Sequence, residues 1–417
     1  MREMKDSGIE WVGAIPQDWQ LSKIGNLYTQ RNEKVSDKDY QPLSVTMQGI
    51  LPQLATAAKT DDGDNRKLVR VGDFAINSRS DRRGSCGISP LDGSVSLINI
   101  ILTPRTAMHP CYYNWLFHTT LFADEFYKWG HGIVADLWTT RWQEMKSITV
   151  PVPEYAEQER IAAFLDAECA EIDAVLEKTR ASIEEYKKLK QAVITQAVTK
   201  GIRGDRPMKN SGIEWIGDIP AEWGVVPHKR IMHKVKEICE QYNGEDIISL
   251  TVNGVVKRDL TAGGKMPTSF DGYQYVEPND LLLCPFDIDV TPRCVGVVRD
   301  YGVTSPAYSR FVMYDGYYNA YYDYLLRMID DNKVFVHLSK NLRSSLTESD
   351  FGAIKTCAPP LAEQKCIAAF LDVRCDEIDA LIAKKQQYLT KIENYKKSLI
   401  YEYVTGKKEV KTSVLAD

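Results

Sequence analysis

Two phrases of this sequence occur twice, and their repetition constrains the fold more than any other feature. SGIEWVGAIPQDW at residues 7–19 matches SGIEWIGDIPAEW at residues 211–223 at nine of thirteen positions, 204 residues apart. AEQERIAAFLDAECAEIDA at residues 156–174 matches AEQKCIAAFLDVRCDEIDA at residues 362–380 at fourteen of nineteen, 206 residues apart. A repeat of this length indicates two tandem copies of one folding unit, and not a solenoid of short units.

The bulk composition agrees with two soluble domains. A chain of 417 residues is too long for one ordinary core, and its 44% hydrophobic and 26% charged residues are typical of globular proteins. No apolar run approaches the ~20 residues that span a bilayer, and the first eight residues lack a signal-peptide core, so we expect a cytoplasmic protein without a membrane partner. Nine cysteines without a CxxC pair favour buried thiols over a zinc site. A net charge of −5 neither indicates nor excludes nucleic-acid binding, because local patches decide it.

Each copy ends in a long segment with a helical pattern. Residues 157–199 contain no proline or glycine, and apolar side chains recur four and three positions apart, as they do where a helix packs on another helix. Gly201 and Gly406 are predicted to end the two helices, each roughly 60 Å long at ~1.5 Å per residue. Polar interruptions at Glu168, Thr179 and Lys385 favour a helix pair with further partners along its flanks over a simple coiled coil. The predicted helix-packing or partner-binding positions are Ile161, Leu165, Ile172, Val175, Ile367, Leu371, Ile378 and Ile382.

The regions between the repeated phrases differ between the copies but share a pattern of short β-branched runs bounded by turn residues, such as KLVRVGDFAIN, SVSLINIILT, DIISLTVNGVV and NDLLLCPF. Helical segments follow at CYYNWLFHTTLFADEFYKW and NAYYDYLLRMIDD. We therefore predict an α+β fold: two mixed α/β domains separated by two long antiparallel helices, in an internal repeat with pseudo-twofold symmetry. The predicted division is 1–153 and 204–360 for the domains, 154–203 and 361–410 for the helices, and 411–417 for a tail.

The combination of SGIEWxGxIPxxW, AEQ…IAAFLD…EIDA and the YEYVTG helix end resembles the specificity subunits of type I restriction–modification systems, which serve bacterial defence. The resemblance covers essentially the whole chain. It implies that each variable region is a target-recognition domain that reads one half of a split double-stranded DNA site. It implies that the helices set the spacing and dock two methyltransferase (modification) subunits, with restriction subunits joining the full complex. S-adenosylmethionine, ATP and Mg would then belong to those partners, and this chain would bind no cofactor or metal and be non-catalytic.

The sequence carries no catalytic motif that would favour an enzyme. The single Pro-Pro lies in CAPPLA and not in an NPPY-like or DPPY-like methyltransferase motif, the AGGKM stretch fails the P-loop spacing, and HExxH is absent. Acidic pairs such as Asp61-Asp62 and Asp330-Asp331 are interpreted as solvated turns and not as metal ligands of a nuclease. Two alternatives stay open: a two-headed protein-binding scaffold without DNA specificity, and a stand-alone nuclease or methyltransferase.

The repeated tryptophans Trp11, Trp19, Trp215 and Trp223 are interpreted as packing anchors that attach each domain to its helix, with direct DNA contact as the alternative. Candidates for DNA contact are basic and polar residues in loops that occupy the same two places in both copies. The alternative for each of them is a solvated surface residue. In the first copy the candidates are Asn77, Arg79, Arg82, Arg83, Lys128, His131, Thr140 and Arg141. In the second copy they are Thr291, Arg293, Ser339, Lys340, Asn341, Arg343 and Ser344.

Overall fold

The computed structural model describes residues 2–53, 63–105, 108–132, 138–252, 254–261, 267–291, 293–338 and 345–411. Contacts divide the chain into two units, the first formed by Met1–Arg180 with Gln387–Asp417 and the second by Ala181–Gln386. Each unit thus contains the beginning of one long helix and the end of the other. The five-segment division that the sequence predicts stays a prediction.

The first unit is a mixed domain of short strands and helices that leads into a long helix. Its elements, in chain order, are β1 (Met4–Asp6), β2 (Ala14–Pro16), β3 (Gln20–Lys23), α1 (Ile24–Leu27), β4 (Tyr28–Arg31), β5 (Lys34–Val35), β6 (Leu43–Thr46), β7 (Gly49–Pro52), β8 (Arg66–Val69), β9 (Phe74–Asn77), a 3-10 turn (Ser80–Arg82), β10 (Cys86–Ile88), β11 (Gly93–Val95), β12 (Asn99–Pro104), α2 (Pro110–Phe117), α3 (Thr120–Lys128), α4 (Trp142–Met145), β13 (Thr149–Val152) and the beginning of α5 (Tyr155–Lys200).

The second unit has the same kinds of elements in a similar order. After the end of α5 they are β14 (Met208–Asn210), β15 (Asp218–Pro220), β16 (Gly224–Pro227), a 3-10 turn (His228–Arg230), β17 (Met232–Val235), β18 (Ile248–Thr251), β19 (Gly254–Lys257), β20 (Gln274–Val276), β21 (Leu281–Leu283), β22 (Val295–Val297), β23 (Gly302–Thr304), β24 (Ser309–Met313), α6 (Asn319–Asp331), α7 (Val334–Leu338), α8 (Glu348–Ala353), β25 (Lys355–Ala358) and the beginning of α9 (Leu361–Val404), whose end returns to the first unit.

The central sheets of the two units have matching strand orders. The first unit contains an antiparallel four-stranded sheet in the order β10-β9-β12-β4, and the second contains β22-β21-β24-β17. In each unit the strand before the central sheet pairs with the strand before the long helix, β3 with β13 and β16 with β25. The mixed helix-and-strand fold that the sequence predicts is confirmed.

The long helices α5 and α9 pair in antiparallel fashion, as ion pairs inside each unit show. In the first unit Asp173 contacts Lys396 and Arg180 contacts Glu393, each at 2.6 Å, so position rises along α5 as it falls along α9. In the second unit Lys190 lies 2.6 Å from Asp379. The two helices contain 46 and 44 residues, and α5 ends directly before Gly201.

The buried seam of the helices follows the predicted stripe at most but not all positions. Ile161, Leu165, Ile367, Leu371 and Ile378 are buried as expected. Ile172 and Ile382 are half-buried.

Val175 lies outside the buried seam, since it is 40% exposed while Leu176, Thr179 and Ile183 are buried, and of its two predicted roles only partner binding stays a prediction. The seam continues from Ile172 by steps of four, three and four residues. The predicted stripe instead took a step of three from Ile172 to Val175, which leaves the buried face of a helix with 3.6 residues per turn. Thr179 therefore lies inside the seam that it was expected to interrupt.

The repeated sequence phrases form the same clamp in both units. In the first, the Trp19 indole N–H donates to Glu157 at the start of α5 (2.9 Å), and Arg2 bonds the same carboxylate (3.0 Å). In the second, Trp223 donates to Glu363 at the start of α9 (2.9 Å), and Arg206 bonds that carboxylate (2.6 Å).

The clamp also joins the end of the other long helix in each unit. The Tyr112 hydroxyl donates to the Val404 carbonyl at 2.7 Å, and the Tyr321 hydroxyl donates to the Val198 carbonyl at 2.8 Å. These carbonyls lie in the last turn of a helix, where no intrahelical donor remains for them. The repeated phrases therefore attach each domain to the start of one long helix, which is the structural role expected of them, and Tyr112 and Tyr321 attach it to the end of the other.

Among the described residues, no helix is long and apolar enough to cross a membrane.

Candidate nucleic-acid interface

The first unit contains an open cleft of about 810 Å³ at one end of its central sheet. Its walls are the β6–β7 hairpin, the end of β9, the 3-10 turn that follows β9, and the residues before β12. The polar and charged residues that line it are Ser44, Thr46, Gln53, Arg66, Asn77, Arg79, Asp81, Arg82, Arg83, Ser85, Ser96 and Asn99.

The arginine loop, residues 77–85, is held by its own backbone. The Asn77 N–H donates to the Ser85 carbonyl at 2.9 Å and closes the loop, and the Asn77 side chain accepts from the Arg79 N–H at 3.1 Å. The Tyr127 hydroxyl donates to the carbonyls of Asn77 (3.1 Å) and Arg82 (3.3 Å). Burial raises the pKa of Tyr127, so its hydroxyl stays protonated as the donor. With these backbone groups paired, the loop exposes its long side chains.

Those side chains carry more positive than negative charge. Arg79 lies 3.1 Å and Arg82 3.8 Å from Asp81, and Arg83 pairs with Asp124. The three arginine side chains are 39%, 69% and 50% exposed. Exposed ion pairs of this kind contribute little to stability, roughly 0–1 kcal/mol. A phosphate can therefore compete for these guanidinium groups at small cost to the fold.

The second predicted segment of the first copy lies directly beside the arginine loop. The Ser80 N–H donates to the Trp138 carbonyl at 2.9 Å, and Arg79 forms an isolated antiparallel bridge with Thr139. Thr139 bridges in turn to His131, whose side chain is exposed. The structure thus brings together two segments that are more than fifty residues apart in sequence.

Thr140 does not fit the predicted role in DNA contact. It is fully buried, and its hydroxyl donates to the Phe126 carbonyl at 2.8 Å. A side chain used in this way holds the segment against α3 and presents nothing to a ligand. Lys128 and Arg141 are exposed, at the end of α3 and just before α4, and remain candidates.

In the second unit the arginine of the equivalent loop is mostly buried. The Arg293 side chain is only 17% exposed, and it donates to Asp331 (3.2 Å) and to the Val252 carbonyl at the tip of the β18–β19 hairpin (3.3 Å). The Thr291 hydroxyl turns back to the Phe286 carbonyl at 3.4 Å. Arg293 therefore holds the loop to the hairpin, and we do not retain it as a base-reading residue.

The other predicted segment of the second copy cannot be placed. Its candidates Ser339, Lys340, Asn341, Arg343 and Ser344 lie outside the described residues. Leu346, just after them, donates its N–H to the Pro285 carbonyl at 3.0 Å, so the described end of this segment adjoins the loop that contains Thr291.

Each unit contains a hairpin that was not predicted from the sequence. DIISLTVNGVV was interpreted as one strand, but it folds back on itself as β18 and β19. The signal was a third repeated phrase, LSVTMQGILP at residues 43–52 against ISLTVNGVVK at residues 248–257, 205 positions apart with Ser, Thr and Gly in common. In both hairpins the threonine hydroxyl donates to the glycine carbonyl, from Thr46 at 2.9 Å and from Thr251 at 3.0 Å.

Potential metal ligands and cysteines are distributed as follows in the described part of the chain. Among those residues, no three His, Cys, Asp or Glu side chains converge as metal ligands. The nine cysteines are free thiols, and six of them are buried. Burial raises the pKa of Cys86, Cys294 and Cys357, which keeps these thiols protonated and unreactive.

The fold defines a class of protein: tandem mixed helix-and-strand domains, each locked to the ends of two long antiparallel helices. A solved structure from a study of complex assembly and conformational transition of the type I R-M system has the same fold. It covers 94% of this chain and 99% of its own, with a TM-score of 0.71 at 13% identity. The HsdS subunit from Thermoanaerobacter tengcongensis matches over 97% of this chain and 100% of its own, with a TM-score of 0.51 at 14% identity.

Sequence comparison finds similar proteins among specificity subunits. The type I restriction enzyme MjaVIII specificity subunit of Methanocaldococcus jannaschii is 23% identical over 95% of this chain and 94% of its own length. The provisionally named MjaX specificity subunit of the same organism is 26% identical over 64% of this chain, and the match spans only 61% of that relative. No family model matches the chain. The chain is similar to the specificity subunits of type I restriction–modification systems, which confirms the resemblance seen in its repeated phrases.

Proposed function

We propose that this chain is the DNA-recognition subunit of a type I restriction–modification complex and that each unit reads one half of a bipartite, asymmetric target. The observation that carries the proposal is the cleft of the first unit. There a rigid loop presents three exposed arginines beside an open hairpin, in a chain related to specificity subunits. Cationic side chains on a fixed frame suit the phosphate backbone, whose contacts position a protein on a duplex.

In the first unit the two kinds of contact fall to different residues. Arg79, Arg82, Arg83, Lys128 and Arg141 supply charge for phosphates. Asn77 and His131 supply polar groups that can hydrogen-bond to base edges. In the second unit the candidates that remain are Thr291 and the segment Ser339–Ser344.

The long helices are proposed to set the spacing between the half-sites and to dock two modification subunits. Apolar side chains remain exposed along the helical parts of both units. Exposed apolar surface is unfavourable in water and often marks a site of protein–protein contact. They include Val175 (40%), Tyr388 (50%) and Tyr395 (54%) in the first unit, and Leu189 (47%) and Val373 (59%) in the second. A partner that covers them would bury this surface.

The catalytic steps are proposed to belong to the partners. The modification subunits would hold S-adenosylmethionine and the restriction subunits would hold ATP and Mg, while this chain recognises the target sequence. We place the complex in the cytoplasm, where chromosomal and invading DNA lie.

The proposal is tested by mapping methylated adenines across the genome, in cells that contain the chain with its modification subunit and in cells that lack only the chain. We expect a split motif, two short specific sequences around a gap of fixed length, that disappears with the deletion. Methylation that is absent in both strains or unchanged between them would overturn the proposal.

A protein-binding scaffold is a second candidate, because one feature of the second unit favours it. Phe286 (53% exposed) and Val290 (73% exposed) make the tip of its post-strand loop apolar, and Asp287 and Asp289 make it acidic. Binding to duplex DNA by the complete complex separates the two candidates. For DNA recognition log affinity falls steeply with log salt as counterions are released, whereas a scaffold shows no specific duplex binding at any salt concentration.

A further inference from the structure

The β6–β7 hairpin is a short two-stranded ribbon with an exposed tip. Its register pairs Thr46 with Gly49, so Met47 and Gln48 form the two-residue turn. Gly49 has a φ of 101°, which a side chain rarely adopts, and the turn therefore depends on a glycine there. Met47 is 72% exposed, and the side chain of Gln48 is also in solvent.

The base of this ribbon packs into the domain core, and this packing positions the exposed tip. Leu43 and Ile50 are buried in a small core with Val69 and Val95 from the strands below. The ribbon also crosses β10 closely, because a Cβ on Gly87 would lie 2.9 Å from the Cα of Gly49. That approach fixes the height of the turn above the sheet.

The second unit builds the same ribbon by the same means. Thr251 pairs with Gly254, whose φ is 97°, and Ile248 is buried in the core below. A Cβ on Gly296 of β22 would lie 2.9 Å from a methyl group of Val255. At the tip Val252 is 58% exposed. Position 253, an asparagine, lies outside the described residues.

The two ribbons share a frame and differ at the tip. A single exposed apolar side chain on a protein surface is ordinary. Here the apolar residue stands at the same tip position in both units, next to an amide-bearing residue and then the glycine, as Met-Gln-Gly and as Val-Asn-Gly. In the first unit Thr46 and Met47 line the same cleft as Arg79, Arg82 and Arg83. The tip thus stands where a duplex held by those arginines would lie.

We propose that these ribbons add base-reading residues to the two units and that each ribbon enters the major groove of one half-site. The major groove admits a two-stranded β-ribbon, and its base edges are all distinguishable. The inference rests on the proposed function and names the residues that give it sequence specificity.

The tip chemistry fits that groove. A Gln or Asn amide can accept and donate at N6 and N7 of adenine, and an apolar side chain can pack on the C5-methyl group of thymine. Gln48 and Met47 of the first unit have these two abilities. The side chains of Met47 and Gln48 are longer than those of Val252 and Asn253. The same ribbon frame could therefore read two different half-sites. This predicts that specificity follows the tip and that affinity follows the arginines.

The test exchanges the tips in the full chain, expressed with its modification subunits, and maps the methylated motif. Met47→Val with Gln48→Asn introduces into the first ribbon the residue types found at positions 252 and 253, and Val252→Met with Asn253→Gln does the reverse. We expect each pair to change base preference by roughly tenfold at one or two positions of one half-site and to leave the other half unchanged. Identical motifs for the wild type and both exchanged chains would overturn the proposal.

A matched control is Val71→Ala. Val71 is 64% exposed but lies before β9, at the end of that strand opposite to the cleft, so its loss should leave both halves of the motif unchanged. Failure of the proposed function would look different, since the wild-type complex itself would then show no motif.

If a tip exchange abolishes methylation, binding of the wild-type complex to duplexes with uracil in place of each thymine decides. Loss of the C5-methyl group should weaken binding several-fold at one thymine of the first half, and Met47→Ala should remove that sensitivity. Equal binding of every uracil duplex by the wild-type complex would overturn the major-groove assignment.

Discussion

The loop after β9 and the loop after β21 occupy the same place in their units but use arginine in opposite ways. In the first, Arg82 is 69% exposed and its loop is closed by backbone hydrogen bonds and by Tyr127. In the second, Arg293 is 17% exposed and ties the loop to the hairpin and to Asp331. Position in the repeat predicts where a loop lies, while the local partners decide whether its charge is available to a ligand.

The two units agree most closely where they meet the helices. The pair Trp19–Glu157 and the pair Trp223–Glu363 have the same hydrogen-bond length, 2.9 Å, and each carboxylate also binds an arginine. The helix contacts are thus common to both units, and the loops are where they differ. Substitutions at common positions should have equal effects in the two units, and substitutions at differing positions should not.

The largest effect is expected at the tryptophan anchors. Trp19→Ala and Trp223→Ala each remove an almost fully buried ring and leave a buried carboxylate with one partner fewer. We expect each to lower the free energy of unfolding of its unit by about 3–5 kcal/mol. Hydrogen exchange measured on the complete complex should show faster exchange in β3 for Trp19→Ala and in β16 for Trp223→Ala.

Trp129→Ala is the matched control, since Trp129 is 40% exposed and its loss should cost well under 1 kcal/mol. Effects of very different size for Trp19 and Trp223 would show that the clamp is not equivalent in the two units.

The next effect distinguishes the units by pH. His228 in the second unit takes the place of Ile24 in the first: their N–H groups donate to the equivalent carbonyls of Ile354 (2.9 Å) and Ile148 (3.0 Å). Burial lowers the pKa of His228 to about 3. The folded chain therefore leaves the ring neutral below its ordinary pKa of 6.5, where the unfolded chain binds a proton. Protonation of the unfolded chain lowers the free energy of unfolding. That free energy therefore has its full value above pH 6.5 and decreases as the pH falls from 6.5 toward 3.

At pH 5 the loss amounts to about 2 kcal/mol, at ~1.4 kcal/mol per pH unit. His228→Ile should remove this contribution, so the difference in unfolding free energy between the variant and the wild type should grow as pH falls from 7 to 5. A pH-independent difference would contradict the assignment of a buried neutral ring.

Much of this fold was predictable from the sequence because the repeat fixes it. The long helices, the clamp phrases and most of the strands follow from spacing and from turn residues. The sequence did contain a signal for the second hairpin, because the Asn-Gly pair in LTVNGV is a typical hairpin turn, and the alignment with LSVTMQGI extends that signal to the first unit.

The candidate site was less predictable. Thr140 and Arg141 are neighbours of similar polarity, yet one is buried against α3 and the other is exposed. Likewise, the residues next to Arg293 in the sequence do not predict its hydrogen bond to Asp331, which is 38 residues away. Burial and partners of this kind depend on tertiary packing, which residue type and spacing do not encode.

A smaller effect tests the opposite use of arginine. Arg293→Ala removes a partly buried hydrogen bond to a carboxylate, so it should destabilise the second unit by about 1–2 kcal/mol. Arg82→Ala removes only a long, exposed ion pair, so the stability of the first unit should stay within ~0.5 kcal/mol of the wild type. Arg82→Ala should instead weaken duplex binding uniformly across sequences and reduce its salt dependence.

Chemical denaturation and duplex titration of the same two variants provide this comparison. Arg293→Ala that weakened DNA binding without any loss of stability would return Arg293 to the set of DNA-contacting residues.

The smallest effect concerns Thr140, where sequence and structure disagree about one hydroxyl. Thr140→Val preserves the shape of the side chain and removes the hydrogen bond to the buried Phe126 carbonyl, which should cost about 1 kcal/mol. The methylated motif should stay the same, because the hydroxyl faces the core and not the cleft. Arg79 provides the contrast, since it adjoins the same segment through Thr139 but keeps its side chain exposed. A changed half-site motif for Thr140→Val at unchanged stability would show that this segment rearranges when DNA binds.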